Sequence, residues 1–244
     1  MRRPRRNEKK GKVIEFQQVN NGPLTIYERP ETDTEYCIGI DTATGVASDY
    51  TVMQVLSRRL PFEQVAVFRA KWSVVDAASF ADLLGRYYND ALIICETNYP
   101  GNAVQDALIQ TYTYSNCYKL EEHLDDDPNI SSKFGWKTTQ ASKWLLIREM
   151  QKALKSDEII FHHKQTIEEL GTFVYIEDRT RTGAAQGLND DCVIAIMLAY
   201  HAAMMYPQDP RKTNKKPTDE NRQQRAMMDR FMSQFTTEQK PVIL

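Results

Sequence analysis

The sequence predicts an α/β domain built on a mixed β-sheet with helices on its faces. Three observations carry that prediction. Three strand-like runs follow one another between residues 36 and 72 with short connections. Helix-periodic segments and short apolar runs then alternate. An apolar helical run over 191–204 is long enough to pack across a sheet. Antiparallel strands first and crossover units afterwards give a mixed sheet.

Residues 36–40 read as a strand buried on both faces, followed by a turn at Thr44-Gly45. Strands over 51–58 and 64–72, joined across Leu60-Pro61, complete an antiparallel meander. Ser73-Val-Val-Asp76 has the spacing of a helix N-cap with an acid three residues on, opening a helix to about Tyr88. Residues 91–95 form a short apolar strand that stops on Glu96. A helix over 101–111 and a strand over 117–120 follow, so the order is β-β-β-α-β-α-β. Residues 121–137 are polar and turn-rich. A helix over 138–154 carries Ala141, Trp144, Ile147, Met150 and Leu154 at core spacing. Strand-like runs at 158–161 and 173–177 bracket a helical turn at 165–170. Residues 178–187 read as a glycine-punctuated loop, suited to gating by its glycine hinges. In the helix over 191–204, Val193, Met197, Tyr200 and Met204 are expected to face inward.

The ends differ in composition from this block. Residues 1–12 hold Arg2, Arg3, Arg5, Arg6, Lys9, Lys10 and Lys12 against Glu8, the pattern of a solvated tail. Residues 13–35 look like a lead-in. After Tyr206 the chain turns polar, and Pro207, Pro210 and Pro217 indicate a linker. Met228, Phe231, Met232 and Phe235 would line one side of a last short helix over 219–235. The expected organisation is a basic tail and lead-in at 1–35, a domain at 36–206, and a polar tail at 207–244.

Composition narrows the function. With 41% hydrophobic and 10% aromatic residues, the chain can build a proper core. Its net charge of −2 excludes a polycation, so any nucleic-acid footprint must be a local patch. Cys37, Cys95, Cys117 and Cys192 form no C-x-x-C pair and read as reduced core residues of an intracellular protein. No apolar stretch reaches the ~18 residues of a membrane span, and the N-terminus lacks an apolar signal core.

Three acidic stops carry the chemistry. Tyr36-Cys-Ile-Gly-Ile-Asp41 and Ala91-Leu-Ile-Ile-Cys-Glu96 each end a buried strand on a carboxylate, and Asn189-Asp190-Asp191 opens the apolar helix. Singly, each acid suits a turn or a cap. Jointly, they would meet at one sheet edge if the two strands are neighbours and the helix packs on them. Such acids repel one another, and a divalent cation relieves the repulsion. All-oxygen ligands suit Mg²⁺ or Mn²⁺ rather than zinc. Two such ions can activate a water and stabilise a leaving oxygen in phosphodiester hydrolysis. Asp41 is assigned as the bridging ligand, Glu96 to one ion, and Asp190 or Asp191 to the other. Neighbouring helix residues point ~100° apart, so one of the last two would be the close ligand. Lys133, Lys137, Arg179 and Arg181 flank the expected edge and are candidate phosphate contacts. Trp136 reads as a loop anchor, and His162-His163 as a structural or surface pair rather than metal ligands.

Four segments resemble the nuclease domain of the large terminase subunit, the DNA-packaging motor of tailed bacteriophages. They are Tyr36-Cys-Ile-Gly-Ile-Asp-Thr-Ala-Thr-Gly45 with Asp49 beyond it, Cys95-Glu-Thr-Asn-Tyr-Pro-Gly-Asn102, Phe134-Gly-Trp-Lys-Thr138, and Gly187-Leu-Asn-Asp-Asp-Cys-Val-Ile-Ala195. The resemblance implies a ribonuclease-H-like fold and a two-metal endonuclease that cuts concatemeric viral double-stranded DNA during genome packaging. It implies Asp41, Glu96, Asp190 and Asp191 as catalytic metal ligands, with Asp49 as an accessory acid. Asn189 departs from the family, where many relatives carry His before the paired acids. The resemblance further implies duplex DNA, an ATPase motor domain, a portal and a small terminase subunit as partners, in the host cytoplasm. No G-x-x-x-x-G-K-[ST] loop is present, so no ATPase activity is expected, and the chain reads as the nuclease half alone.

Three other readings compete. A resolvase or transposase of the same fold would use the same acids on a different DNA shape. A non-catalytic DNA-binding or packaging-scaffold module would not need all of the acids. Gly39-Ile-Asp-Thr-Ala-Thr-Gly45 faintly resembles an actin-like phosphate loop, but the second such loop is missing.

Overall fold

A computed structural model describes residues 16, 20–43, 50–120, 133–176, 181–184 and 190–208. Its elements in chain order are β1 (Leu24–Ile26), β2 (Tyr36–Asp41), β3 (Thr51–Ser57), β4 (Phe62–Ala70), α1 (Val74–Tyr87), β5 (Leu92–Cys95), α2 (Gly101–Gln110), β6 (Lys119–Leu120), β7 (Lys133–Phe134), α3 (Gln140–Lys155), β8 (Ile159–Ile160), α4 (Lys164–Thr172), β9 (Phe173–Ile176), β10 (Arg181–Ala184) and α5 (Asp191–Met205).

The meander forms as its β-rich runs predict. β2 pairs antiparallel with β3, and β3 antiparallel with β4. The crossover through α1 returns β5 parallel to β2, the arrangement a connecting helix favours. The main sheet is therefore mixed, in the order β1-β4-β3-β2-β5, with β8 parallel to β4. β1 lies in the segment read as a lead-in and pairs with the outer edge of β4. Three residues are too short a run to give a strand pattern, so pairing with the edge of β4 makes this a strand. At the other end, Gln208 ties the chain after α5 to the start of β2. Its backbone N–H donates to Arg58 O at 2.9 Å, and its Oε1 accepts from Glu35 N at 2.9 Å.

Helix boundaries follow local chemistry. Ser73 caps α1 by accepting from Asp76 N. Thr139 and Ser142 exchange side-chain bonds with each other's backbone N–H groups at the start of α3. His163 caps α4 through Thr166 N, while His162 reaches Glu63 Oε1 at 2.9 Å. The histidine pair is thus structural. One expectation is corrected: 178–187 is not wholly loop, because 181–184 forms β10 and pairs antiparallel with β9. Arg-Thr-Gly-Ala has no apolar alternation, so the hairpin partner alone makes it a strand. The expected helix over 219–235, Asp49, Arg179, Asn189 and the basic residues of 1–12 lie outside the described residues.

Two cores flank the sheet. On one face Ile38, Ile40, Met53, Val55, Phe68, Ile93 and Cys95 pack with α1 and α2. On the other, Cys37, Leu56, Leu92 and Ile94 pack with α3, α4 and α5. Because side chains alternate along a strand, Gly39 and Asp41 share the α5 face with Cys37, and Glu96 shares it with Ile94. α5 itself is buried over 192–203. An inward stripe at Val193, Met197 and Tyr200 holds, but the remaining sides are covered too. A helix apolar on every side is a core helix.

α5 meets β2 backbone to backbone. A Cβ on Gly39 would stand 2.1 Å from Ala195 O and 2.5 Å from Ala199 N. Neither obstacle is a flexible side chain, so any larger residue must push the helix off the sheet. Gly39→Ala should lower unfolding free energy by about 3 kcal/mol. Urea unfolding of the variant beside the wild type checks this, and equal midpoints would refute the contact.

Candidate metal centre

The parallel pairing of β2 and β5 builds the first half of the site. Ile40 pairs with Cys95, and Glu96 N donates to Ile40 O at 3.0 Å. Asp41 and Glu96 therefore occupy the next rung, on the same face, at the carboxyl ends of neighbouring strands. Their carboxyl groups lie within hydrogen-bonding reach of each other.

α5 builds the second half. From the Gly39–Ala195 contact, Asp41 lies two strand residues on, ~6.6 Å at strand rise. Asp191 lies four helix residues back, ~6 Å at helix rise. The helix N-terminus and the strand C-terminus therefore reach the same edge. Asp190 is the N-cap residue and Asp191 opens the first turn.

The charges around Asp41 agree with this approach. Asp41 is half-buried, and its pKa is raised well above the usual carboxylate value of 3.8. Burial is the largest cause, followed by the charges of Glu96 and Asp191, the hydrogen bond with Glu96, and the charge of Asp190. All four acids named from the sequence thus act on one point. Among the described residues, however, no three Asp, Glu, His or Cys side chains are already closed into an ion cage. Each acid has an occupation of its own. Asp41 faces Glu96 across the neighbouring strand ends. Asp191 Oδ2 accepts from Tyr50 N at 3.1 Å. Asp190 Oδ2 meets Lys143 Nζ at 3.5 Å. The donor set is carboxylate oxygen only, which fits a hard divalent cation. The cysteines stay out of it as buried free thiols, and burial pushes the Cys37 thiol up to about 12.

Lys143, Tyr50 and Glu169 were not legible as site residues. Glu169 is buried on α4, and its Oε2 accepts from Cys192 N at 2.8 Å. Asp190 makes no side-chain capping bond, so Glu169 satisfies a free N–H of the first turn from another helix. Gln54 Nε2 reaches Cys192 O at 3.4 Å and Thr166 Oγ1 at 2.8 Å. The turn bearing Asp191 is thereby held at both backbone groups of Cys192. Nothing local in the sequence links residues 54, 169 and 192.

Of the basic candidates, Lys137 is exposed, directly after Trp136. Trp136 is buried, bridges Glu96 in parallel, and packs with its ring centroid 4.6 Å from that of His201. It is a loop anchor, and it sets Lys137 beside the acidic edge. Thr138 and Asn98 lock the same loops by exchanging hydrogen bonds of 2.9 and 3.0 Å. Lys133 lies in β7 and Arg181 in β10, and their side chains are outside the description. Among the described residues, no helix is long and apolar enough to cross a membrane.

The raised pKa of Asp41 gives a signed prediction. The folded state holds this proton more tightly than the unfolded chain. Its share of stability is full below about pH 4 and is lost as pH rises through the raised folded value. In EDTA, Asp41→Asn should therefore be more stable than the wild type. Its lead in Tm should widen from about pH 5 to about pH 8, and a lead that stays constant or shrinks contradicts the crowding. Separately, Glu169→Ala should cost about 2 kcal/mol by leaving Cys192 N–H buried without a partner. Glu169→Gln, which keeps an acceptor, should recover most of the loss in the same melts.

Comparison with known proteins places this fold. The family described as "Terminase RNaseH-like domain" matches residues 38–203. The large terminase nuclease of thermophilic phage G20c, solved with bound magnesium, superposes with a TM-score of 0.60 at 20% identity. The match covers 78% of this chain and 92% of that one. The same nuclease with bound cobalt gives 0.58 at 21% identity, with the same coverage. The large terminase nuclease domain of Thermus phage P74-26 gives 0.57 at 19% identity, covering 77% of this chain and 90% of that one. At these identities, the superpositions speak for the fold.

Proposed function

The chain belongs to the terminase RNaseH-like domain family, and from that premise we propose that it is a divalent-metal-dependent endonuclease that cuts double-stranded viral DNA during genome packaging. The observation that carries this reading is the crowding of Glu96, Asp191 and Asp190 upon Asp41. A fold needs no such cluster, and a cation site does. Concatemeric DNA would be the substrate. An ATPase motor domain, a portal and a small terminase subunit would be partners in the host cytoplasm. The solved nucleases with bound magnesium, cobalt and zinc lend support to a divalent-ion reading.

Asp41, between Glu96 and Asp191, is the shared ligand in this scheme. Glu96 would hold one ion and Asp191 the other. Asp191 presses on Asp41 more strongly than Asp190 does, and Asp190 is engaged by Lys143. Asp191 is therefore the closer ligand, with Asp190 assisting. When bound, two Mg²⁺ or Mn²⁺ ions would activate the attacking water and stabilise the leaving oxygen of the phosphodiester. Tyr50 N–H and Lys143 hold the acidic pair in orientation before any ion arrives. Lys137 places a positive charge where a strand would lie along the edge, and Lys133, Arg179 and Arg181 are proposed to extend it. Asp49 is proposed as the accessory acid.

Plasmid cleavage with Mn²⁺, Mg²⁺ or EDTA tests the reading. The wild type should nick and linearise DNA with either ion and be silent in EDTA. Asp41→Ala should lose at least about a thousandfold in rate, the scale of a lost metal-ion contribution of several kcal/mol. Undiminished cutting by pure Asp41→Ala would end the proposal.

A further inference from the structure

The sheet edge carries a second group of side chains on the α5 face, on the side of Asp41 away from Glu96. Asp41 pairs with Val52, and Val52 pairs with Arg69. Paired residues point to the same face, so Asp41, Val52 and Arg69 form one row. Arg69 stands about 10 Å from Asp41, across two strand spacings. One rung outward, past the Thr51–Ala70 pair, Lys71 comes opposite Tyr50. The Arg69 Cζ lies 3.3 Å from the centroid of the Tyr50 ring, and Lys71 Nζ lies 5.0 Å from it. Tyr50 N is the group that donates to Asp191 Oδ2. The two cations and their aromatic platform are therefore built directly onto a proposed metal ligand.

The state of Arg69 points to a missing partner. Its Nε is buried and makes no hydrogen bond. Among the described residues its guanidinium forms no ion pair, although it eases the buried charge of Glu169 from a distance. With Nε buried, the terminal N–H groups of the ring-stacked guanidinium are the ones that could meet a phosphate. Lys71 is exposed and adds a second charge on the same ring.

We propose that Arg69 and Lys71, braced on Tyr50, form a seat for a backbone phosphate of the substrate DNA, next to the phosphate being cleaved. The proposal rests on the nuclease reading and supplies it with a strand-positioning site. The seat lies across the metal edge from Lys137, so a strand crossing the acids would be gripped on both sides. It contacts phosphate only and therefore carries no sequence preference.

The test measures binding of a short DNA duplex by fluorescence anisotropy across a salt series, with Ca²⁺ replacing Mg²⁺, and KM and kcat for cleavage in Mg²⁺. Arg69→Met keeps the packing volume and removes the charge. Lys71→Glu sits on the surface and decides the matter if Arg69→Met fails to fold. Each variant should bind roughly tenfold more weakly, the scale of a charge-assisted hydrogen bond. Each should also flatten the salt dependence by about one unit of slope and raise KM more than it lowers kcat. Stabilisation of the protein by Mn²⁺ in thermal melts should be unchanged. Folded variants with wild-type affinity would overturn the seat while leaving the nuclease intact. So would weaker binding at an unchanged salt slope, which marks a packing role. A wild type that neither binds nor cuts the duplex would instead fail the nuclease reading, and the seat with it.

Discussion

The backbone contact between β2 and α5 governs the molecule. At Gly39 the strand lets a helix lie with no side chain between them. That closeness sets the depth of α5 and the reach of its first turn toward the sheet edge. It also explains why α5 is buried on every side, since α3 and α4 cover the face that the sheet does not. The rest of the site is arranged around this fixed crossing. The strands supply Asp41 and Glu96 by register, and the helix supplies Asp190 and Asp191 by its starting point.

Placing four acids at one edge is unfavourable by itself, and the protein spreads the load through local partners. Asp41 faces Glu96 with its pKa held up, Asp190 leans on Lys143, and Asp191 takes a backbone N–H from Tyr50. These interactions hold the carboxylates apart yet aimed at one region. In the proposed reading, a site arranged this way would receive a hard cation among carboxylate oxygens. The buried polar chain through Gln64, Gln54 and Thr166 to Cys192 serves the same end. Satisfied polar networks of this kind hold an element in one place rather than adding much stability.

The fold is shared with the phage nucleases at about one identical residue in five. A mixed sheet with a buried helix across it tolerates wide exchange of apolar residues, provided volume and alternation are kept. At the edge of this sheet the strand ends, the helix start and the loop anchored by Trp136 arrive together.

Much of this was legible in the linear chain, because strands and core helices are written in local periodicity. The runs 36–41 and 92–95, the capping residues at 73 and 139, and the apolar helix after Asp191 announce themselves through neighbours in sequence. The acids could be named for the same reason, since each ends or opens such a run. Tertiary structure alone decided the rest. β1 and β10 are strands because partners across space complete their hydrogen bonds, and three or four residues hold no pattern. Glu169, Lys143, Tyr50 and Arg69 belong to the edge because packing carries them there. Lys143 stands 47 residues from Asp190 and Tyr50 stands 141 from Asp191 along the chain. A sequence records which residues are neighbours along the backbone, whereas charge acts through space, so only the folded chain could show which charges stand beside which.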